Sequence, residues 1–333
     1  MRGIKIIGTG VYTPDVTVTN DDLSKIMETD NEWIVSRTGI HSRNFSKNKS
    51  NHYMASEAAK NAIENAGISP EEIDLIIASS CSTEYFYPNL ASLVQQGTGC
   101  VNAAVVEINT ACTGFISALD IASRYLMDGD YKKVLVVASE RLSSHVDFTD
   151  RSSCILFGDG AGAAVIEHSE KPLYSYLSGK ADNFEALYCH INKDSNCPYV
   201  EKQDETTSTE AFNGENKMEY LQMDGKAVYK FAVDAMAAAV EKTLAKAGLT
   251  KDDIDLVIPH QANIRIIQSA TKALGIPSEK VFVNIATHAN TSSACIPICI
   301  DDLRKEGRIK EGMKICLVGF GAGLTSGAII FEQ

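Results

Sequence analysis

The sequence predicts an α/β protein made of two similar halves, stacked as a five-layered α/β/α/β/α sandwich. Two observations support this prediction. Apolar strands alternate with helices along the chain, as expected where helices cover both faces of a sheet. In addition, segments of the first half recur in the second half in the same order, which indicates an internal duplication.

The strands are predicted from runs that are apolar nearly throughout. Residues 75–78, 134–138 and 315–318 have this character, whereas a strand with one solvated face would alternate apolar and polar residues. Helices with glycine near their ends separate these runs. The pattern therefore favours sheets that are buried on both faces.

The duplication is seen first in the segments ENAGISPEEIDLIIASS (64–80) and AKAGLTKDDIDLVIPHQ (245–261). The tripeptide IDL begins at position 73 in the first segment and at position 254 in the second. The Ala-Gly pairs before it begin at positions 66 and 247, so the spacing within the two segments is identical. Each segment predicts a helix end, an acidic connector and a strand.

The later parts of the two halves also correspond. Residues 105–137 and 283–318 each predict strand, sharp turn, helix, glycine and strand. Cys112 and Asn290 occupy equivalent places, since each precedes by the same interval the glycine that ends its predicted helix, Gly129 or Gly307. A glycine-rich turn and an apolar strand close each half. We expect one half at residues 1–171 and the other at 172–333, with a mobile polar loop at 192–216.

Composition restricts the class of protein. The chain has 333 residues, of which 44% are hydrophobic, enough for a large core. No apolar run approaches the roughly 18 residues that cross a bilayer, so no membrane association is predicted. The net charge of −12 disfavours nucleic-acid binding, because phosphate recognition needs dense Lys and Arg. The opening residues show no secretory signal, so we expect a cytoplasmic protein.

Cysteine and histidine spacing predicts neither disulfides nor a metal site. The nine cysteines are odd in number and contain no C-x-x-C pair, which fits reduced thiols. The seven histidines show no ligand spacing, so we expect no metal. Any single cysteine is more often a small buried hydrophobe than a nucleophile. A catalytic assignment therefore needs support from the surrounding residues.

Three polar residues fall on turns that the duplication would bring face to face. Cys112 follows a strand and precedes a helix, so we expect the helix N-terminus to lower its thiol pKa and favour thiolate. His260 follows a buried-type strand and alone would more often be structural. Asn290 alone would more often be a helix cap. Occurring together, the three residues favour a shared active site over three separate structural roles.

Six segments in order carry a resemblance to a known family: DNEWIVSRTGI (30–40), TACTGF around Cys112, DRSSCILFGDGAGA (150–163), PHQAN (259–263), HANTSSA (288–294) and GFGAGLTSGA (319–328). With these segments the chain resembles, from end to end, the β-ketoacyl-acyl-carrier-protein synthase III family of the thiolase superfamily. The resemblance implies a thiolase-like fold, a homodimer, the substrates acyl-CoA and malonyl-acyl carrier protein, and no cofactor besides these CoA thioester substrates.

The resemblance also implies the reaction. The Cys112 sulfur takes a short acyl group, acetyl being the first candidate, from CoA as a thioester. Loss of CO2 from malonyl-acyl carrier protein then gives an enolate that attacks this thioester and initiates fatty-acid synthesis. His260 Nε2 and Asn290 Nδ2 are implied as neutral donors to the enolate oxygen. Backbone N–H groups of Cys112 and of the turn Gly321, Ala322 and Gly323 are implied as a second oxyanion hole.

Further residues receive roles by resemblance. Trp33 and Arg151 are implied to sandwich the adenine of CoA, Arg37 to meet its phosphates and Asn263 to bind the pantetheine arm. Phe157 and Phe320 are implied to shape the wall of the site. Tyr87 is implied to close the acyl pocket of the partner subunit, and a bulky ring there suggests short acyl groups.

A basic patch for the acidic carrier protein is predicted on two helices. Lys226 and Lys230 are four residues apart, and Arg265 and Lys272 are seven apart, so each pair can share a helical face. Taken singly, each is more often a solvated surface charge. We call these four residues the docking patch.

Some positions depart from the family pattern. Asn109 and Thr110 replace small apolar residues, which makes the pocket near Cys112 more polar. Ala289 precedes Asn290 where glycine is usual. None of these positions belongs to the Cys-His-Asn set, so the predicted reaction class stands while the choice of starter stays open.

Other interpretations also stay open. Elongating synthases resemble a Cys-His-His pattern and hydroxymethylglutaryl-CoA synthases use Glu, so Asn290 favours priming from CoA. Plant-type polyketide synthases share Cys-His-Asn but are longer and lack the DNEWIVSRTGI opening. The main alternative is a secondary-metabolite ketosynthase or acyltransferase of the same fold with an unusual acyl starter. A non-enzymatic CoA-binding scaffold is disfavoured because all three polar residues are retained.

Overall fold

The computed structural model describes residues 2–189 and 220–333, so the polar loop predicted at 192–216 lies outside the described residues. The strands are β1 Ile4–Tyr12, β2 Val16–Thr19, β3 Ser42–Phe45, β4 Leu75–Ser79, β5 Ala104–Ile108, β6 Lys133–Glu140, β7 Gly160–His168, β8 Tyr174–Gly179, β9 Leu187–Tyr188, β10 Gln222–Met223, β11 Leu256–Pro259, β12 Lys314–Gly321 and β13 Thr325–Glu332. The helices are α1 Asn20–Leu23, α2 Asn31–Thr38, α3 Asn51–Ala66, α4 Leu90–Thr98, α5 Gly114–Tyr125, α6 Arg151–Cys154, α7 Gly225–Ala247, α8 Ile264–Leu274, α9 Ile285–His288 and α10 Cys295–Lys305.

Two mixed sheets form the framework. The first has the strand order β1-β7-β6-β4-β5 and the second, read from the equivalent edge, has the order β8-β13-β12-β11. One pair of strands at the equivalent place in each sheet is parallel, β4 with β6 and β11 with β12, and the strand beyond it, β7 or β13, is antiparallel. The two halves therefore repeat the same strand order, which confirms the predicted duplication.

The helices form three layers around the two sheets. Helices α5 and α10 contact strands of both sheets and make the central layer. Helix α3 packs on β1, β7 and β6, and α4 packs on β4 and β5, on the outer face of the first sheet. Helix α7 packs on β8, β12 and β13, with α8 beside it. The five-layered sandwich predicted from the sequence is confirmed.

The core is built from the apolar runs that predicted the strands. All five residues of β4 are buried, as expected for a strand covered on both faces. Helix α5 has Phe115, Ile116 and Leu119 fully buried, because it lies between two sheets and has no broad solvent face. The central layer thus holds the turn that carries Cys112 inside the protein.

One predicted strand is absent from the described second half. The segment 283–318 was expected to open with a strand that matches β5, but only a bridge joins Val281 to Val257 among the described residues there, and α9 begins at Ile285. The Gln261 side-chain carbonyl accepts the backbone N–H of Asn284 at 3.1 Å, so that donor is not available to extend the ladder. The strand prediction there was wrong.

The glycines predicted to end the two central helices, Gly129 and Gly307, lie at different distances from the last residue of their helix. Helix α5 ends at Tyr125, and Gly129 lies in the turn beyond it with φ +79°. Helix α10 ends at Lys305, and Gly307 follows its cap residue with φ +65°. Both glycines adopt the left-handed conformation in which a side chain is disfavoured.

The proposed division at residues 171 and 172 falls between β7, the last strand of the first sheet, and β8, the first strand of the second. The division stays a proposal, because α10 of the second half also packs on β1 and β7 of the first half.

Within the described ranges, no helix combines the length and apolarity needed to span a bilayer.

Candidate active site

Cys112 lies in the 3₁₀ turn Ala111–Thr113 that connects β5 to α5. The turn is tight, because Ala111 has φ +46° and a Cβ at Gly114 would collide with Ser79 Oγ at the end of β4. Only glycine lets the backbone approach so closely at position 114. The Cys112 side chain is thereby fixed between the two halves, and the residue is 9% exposed.

The β12–β13 hairpin of the second half meets this turn. A Cβ at Gly321 would lie 2.8 Å from the backbone nitrogen of Cys112, so glycine is required for the two backbones to approach. The hydroxyls of Thr113 and Thr325 are hydrogen-bonded at 3.0 Å across the same junction. The backbones of Cys112 and of the Gly321 turn therefore lie together, as the predicted oxyanion hole requires.

His260 follows β11 and is held at the base of the site. Its backbone N–H donates to Val318 O at 2.7 Å, and its ring packs edge-on against Phe320 with centroids 5.5 Å apart. The residue is 1% exposed, and this burial lowers the pKa of the imidazole to about 3. His260 is therefore neutral at physiological pH.

Asn290 is fixed by its backbone and by its side-chain oxygen. Its N–H donates to Leu156 O at 3.0 Å, and its carbonyl accepts the N–H of Gly158 at 3.0 Å. Its Oδ1 accepts the backbone N–H of Ser292 at 2.9 Å. Because the oxygen end of the amide is engaged in this way, Nδ2 is the end that can donate to a ligand.

The three residues line one cavity of about 120 Å³, together with three other residues predicted for the site: Asn263, Phe157 and Phe320. A second cavity of about 210 Å³ also reaches Cys112, and its wall includes Asn109, Leu142 and Ala322. The nucleophile thus stands where the two cavities meet. Asn109 supplies the polar wall that the sequence predicted near Cys112.

The expected thiolate at Cys112 is contradicted. Burial raises the pKa of this thiol to about 12, a hydrogen bond with Ser292 opposes the rise, and the nearby Glu140 carboxylate adds to it. The helix N-terminus does favour the anion, but removal of water from a buried sulfur costs more. Sequence spacing shows where a helix begins and does not show how deeply the turn before it is buried. Cys112 is therefore a thiol in the resting protein.

This thiol predicts a specific pH dependence of alkylation. Because only thiolate reacts, the rate at Cys112 should rise about tenfold per pH unit from roughly pH 6 to pH 9, without a plateau. Iodoacetamide labelling followed by peptide mass spectrometry measures the rate, and the Cys112→Ala variant gives the background from the other thiols. A plateau below pH 8 would show a lowered pKa and contradict the assignment.

Ala289, next to Asn290, has φ +55° and ψ −159°, a conformation that strongly favours glycine. Replacing Ala289 by Gly should raise the free energy of unfolding by about 0.5 kcal/mol, because relief of about 2–3 kcal/mol of strain exceeds the added backbone entropy plus the loss of one fully buried methyl group. Ala273→Gly, on the exposed side of α8, is the matched control and should lower it by about 0.5–1 kcal/mol. Urea unfolding measures both, and equal losses would contradict the strain argument.

Trp33, Arg37 and Arg151 are brought together as predicted. The guanidinium carbons of Arg37 and Arg151 lie 4.3 Å and 4.5 Å from the Trp33 ring centroid. Arg151 also donates to the backbone oxygen of Glu28 at 2.7 Å. Trp33 is thus half-buried against the apolar cluster that includes Ile34 and Cys154, and its ring also contacts two cations.

Asn263 has a structural role in addition to its predicted one. Its Oδ1 accepts the backbone N–H of Arg265 at 2.8 Å and caps α8. Asn263 still lines the cavity that contains Cys112. Tyr87 is 87% exposed and is absent from the lining of the two cavities at Cys112 in the described part of its own chain.

The docking patch lies on two adjacent helices. Its four side chains are exposed, and α7 is joined to α8 by a 2.7 Å hydrogen bond between Tyr229 Oη and Ser269 Oγ. Arg265 donates from two guanidinium nitrogens to Ser36 O, at 2.7 Å and 3.1 Å, which ties the patch to the helix that carries Arg37. Lys230 also borders a separate cavity of about 490 Å³.

Sequence reasoning missed several groups that surround the nucleophile. Ser292 hydrogen-bonds Cys112, Cys295 contacts His260, and the fully buried Glu140 accepts hydrogen bonds from Ser82 and Ser293 at 2.6 Å. Ser292 and Cys295 lie two and five residues after Asn290 in the segment NTSSAC. This closeness in sequence to a predicted site residue could have marked them as candidates. Glu140 gave none, because nothing in its neighbourhood marks it as buried.

The described ranges contain no group of three or more His, Cys, Asp or Glu side chains placed to hold a metal ion. Cys112, His260 and Asn290, which line one cavity, can act together as a thiol nucleophile with two uncharged hydrogen-bond donors. A duplicated α/β sandwich with this set at the junction of its halves defines a condensing enzyme of the thiolase fold.

The comparisons with known proteins specify the family. Models of the 3-oxoacyl-[acyl-carrier-protein] synthase III family match residues 106–182, and its C-terminal model matches residues 244–333. The β-ketoacyl-[acyl-carrier-protein] synthase III of Clostridium acetobutylicum is 42% identical, over 100% of this chain and 99% of the relative. That of Aquifex aeolicus is 43% identical, over 99% of both chains. This chain belongs to the 3-oxoacyl-[acyl-carrier-protein] synthase III family and is a condensing acyltransferase.

Solved structures agree with this membership. The 3-oxoacyl-[acyl-carrier-protein] synthase III from Aquifex aeolicus superimposes with a TM-score of 0.89 at 41% identity, covering 99% of this chain and 100% of the other. A priming β-ketosynthase from the R1128 polyketide pathway superimposes with a TM-score of 0.86 at 33% identity, covering 100% and 97%. The predicted thiolase-like fold is confirmed.

Proposed function

We propose that this enzyme condenses a short acyl-CoA, with acetyl-CoA as the first candidate, with malonyl-acyl carrier protein. The products are 3-oxoacyl-acyl carrier protein, CO2 and CoA, and the reaction initiates fatty-acid synthesis. The observation that supports this most is that Cys112, His260 and Asn290 line one cavity. A nucleophile with two neutral donors suits an acyl transfer followed by a decarboxylation.

In the first half-reaction the Cys112 sulfur attacks the carbonyl carbon of the acyl-CoA thioester. The new carbon–sulfur bond replaces the bond to CoA, and the proton of the Cys112 thiol leaves with CoA as its thiol. Negative charge develops on the carbonyl oxygen during the attack. The N–H of Cys112 and the Gly321 turn lie close together and are proposed to stabilise this charge.

In the second half-reaction the malonyl thioester loses CO2, and the electron pair of the broken carbon–carbon bond forms an enolate. The enolate carbon then attacks the acyl group on Cys112. The bond from the acyl carbon to Cys112 breaks, its electrons stay on the sulfur as thiolate, and the thiolate takes a proton from solvent water. His260 and Asn290 are proposed to donate to the enolate oxygen. His260 suits this role because burial keeps it neutral, so it can donate without titrating near physiological pH.

Coenzyme A is proposed to bind along the edge formed by α2 and α6. Trp33 supplies a ring on which adenine can stack, and Arg37 supplies a cation for the phosphates. For adenine to lie between Trp33 and Arg151, the Arg151 guanidinium has to move away from the ring. Asn263, at the start of α8, borders the cavity from the CoA side and is proposed to bind the pantetheine arm.

The acidic carrier protein is proposed to dock on the docking patch. Its four cationic side chains are exposed on α7 and α8, while the whole chain carries a net charge of −12. A local positive surface is needed for an acidic partner to approach an acidic enzyme. The same two helices border the cavity that contains Cys112, through Val228 and Ile266 among others.

The remaining sequence predictions are carried as parts of this proposal. We propose a homodimer in which the exposed Tyr87 closes the acyl pocket of the partner subunit. We also propose a cytoplasmic enzyme that uses CoA thioesters as substrates and has no bound cofactor, nucleic-acid partner or membrane contact.

The proposal is tested by intact-mass measurement of the enzyme after exposure to a panel of acyl-CoAs. Acetyl-CoA should add one acetyl group, and later addition of malonyl-acyl carrier protein should remove it and yield acetoacetyl-acyl carrier protein. Efficient loading of only long or aromatic acyl groups would instead favour a secondary-metabolite synthase, for which the similarity to the R1128 priming enzyme is a precedent. Absence of any labelling would contradict the proposed activity.

A further inference from the structure

Cys295 contacts the imidazole of His260 and is not one of the described residues that line the cavity. It is the first residue of α10 and is 3% exposed. Its Sγ lies 2.9 Å from His260 Nδ1, and the backbone N–H of Gln261 donates to the same sulfur at 3.3 Å. Three groups of the second half are therefore fixed together beside the reacting centre.

The position of the imidazole ring is also fixed. A Cβ at Gly319 would lie 3.2 Å from the Cβ of His260, and the ring of Phe320 packs against the imidazole. Because Nδ1 contacts Cys295, Nε2 is the ring nitrogen that remains available to a ligand in the cavity that His260 lines. What Nε2 can do there depends on which nitrogen carries the proton.

A neutral imidazole has one N–H, so two arrangements are possible. If the proton were on Nδ1, it would donate to a sulfur that already accepts from Gln261, and the Cys295 S–H would need another acceptor. If the proton is on Nε2, the S–H donates to Nδ1 and both groups are satisfied. The second arrangement is favoured because imidazole nitrogen is a much better acceptor than sulfur. Burial raises the pKa of the Cys295 thiol, so its proton is present.

We propose that the Cys295 thiol donates its proton to His260 Nδ1 and thereby holds the imidazole as the tautomer with hydrogen on Nε2. This inference rests on the proposed function, in which Nε2 donates to the malonyl thioester oxygen as the enolate forms. Cys295 touches no substrate and is a positioning residue. It supports the decarboxylating half-reaction and has no part in acyl transfer to Cys112.

The test uses the full-length enzyme and three variants. Cys295→Ala removes the donor, and Cys295→Ser restores a hydroxyl that can donate to Nδ1. Cys299→Ala is the matched control, since Cys299 is a fully buried thiol one turn along α10 whose Sγ lies 3.1 Å from Asn284 Oδ1. Each protein is assayed for acetyl labelling of Cys112 and for turnover with malonyl-acyl carrier protein. The histidine ¹⁵N spectrum reports the tautomer, with His260 assigned by a His260→Gln variant.

We expect the wild-type spectrum to show hydrogen on Nε2 of His260. Cys295→Ala should mix the tautomers and lower kcat of condensation about tenfold relative to Cys299→Ala, the effect of one lost orienting hydrogen bond, with the labelling rate unchanged. Cys295→Ser should recover both the tautomer and most of the rate.

Hydrogen on Nδ1 in the wild-type spectrum overturns the inference. So does a Cys295→Ala enzyme that condenses as fast as Cys299→Ala, or one that is slow while its tautomer is unchanged, which would make the residue merely structural. If wild-type enzyme is not labelled by any acyl-CoA, the proposed function fails, while the spectrum still decides the tautomer independently.

Discussion

Replacing Cys112 by alanine is expected to abolish acyl labelling of the enzyme and all condensation activity. Cys112 is the sole thiol that lines the cavity shared with His260 and Asn290 among the described residues. Without its sulfur no acyl-enzyme forms, so the second half-reaction has no electrophile. The loss should therefore be complete at the sensitivity of intact-mass detection.

The control for Cys112→Ala is the replacement of another cysteine, one that lines the larger of the two cavities that Cys112 borders. Cys189 is exposed and lines that cavity, so it is the thiol best placed to be acylated by mistake. Cys189→Ala should be labelled at the wild-type rate. One equivalent of acetyl on Cys112→Ala, located on a different cysteine, would show that the nucleophile is misassigned.

Replacing Asn290 by alanine should lower the rate of condensation by about 10²–10³ while acyl labelling stays within a few-fold of wild type. The physical reason is that Asn290 is proposed to donate only to the enolate oxygen, which does not exist during acyl transfer. The amide is already oriented by the Ser292 N–H, so its loss removes a preorganised donor. Labelling by acetyl-CoA and release of CO2 from malonyl-acyl carrier protein measure the two steps separately.

Asn290→Asp is a matched variant for the same question. A carboxylate can still accept the hydrogen bond from the Ser292 N–H, so the local backbone should be kept. It cannot donate when ionised, and its charge opposes the developing enolate. We expect condensation at least as slow as in the alanine variant. Equal loss of labelling and condensation in Asn290→Ala would overturn the separation of roles.

Much of the architecture could be predicted because it depends on patterns that are local in the chain. The runs at residues 75–78 and 315–318 are apolar on both faces, and a strand with two apolar faces has to be covered by helices. The constant spacing within the repeated segments predicted that the second sheet would copy the first. The contacts of the helices with both sheets confirm the first prediction, and the strand orders confirm the second.

The places where prediction failed depend on contacts between distant residues. The strand expected at the start of the segment 283–318 is replaced by α9, and the side chain of Gln261, which is distant in the chain, accepts the backbone N–H of Asn284 there. A pattern of apolar residues cannot reveal such a competitor. The apolar pattern favours a strand locally, but the structure has a tertiary hydrogen bond to Gln261 where the strand would have formed a ladder hydrogen bond.

By itself, the sequence determined the duplicated α/β architecture and which residue types meet at the junction of the halves, because apolar periodicity and turn chemistry are encoded residue by residue. Only the tertiary structure decided the protonation of those residues. The thiol pKa of Cys112 is raised and the imidazole pKa of His260 is lowered because both side chains are removed from water. Likewise, the contact of His260 with Cys295 joins residues 35 positions apart. Desolvation and such contacts depend on what surrounds a group in space, which no local stretch of sequence records.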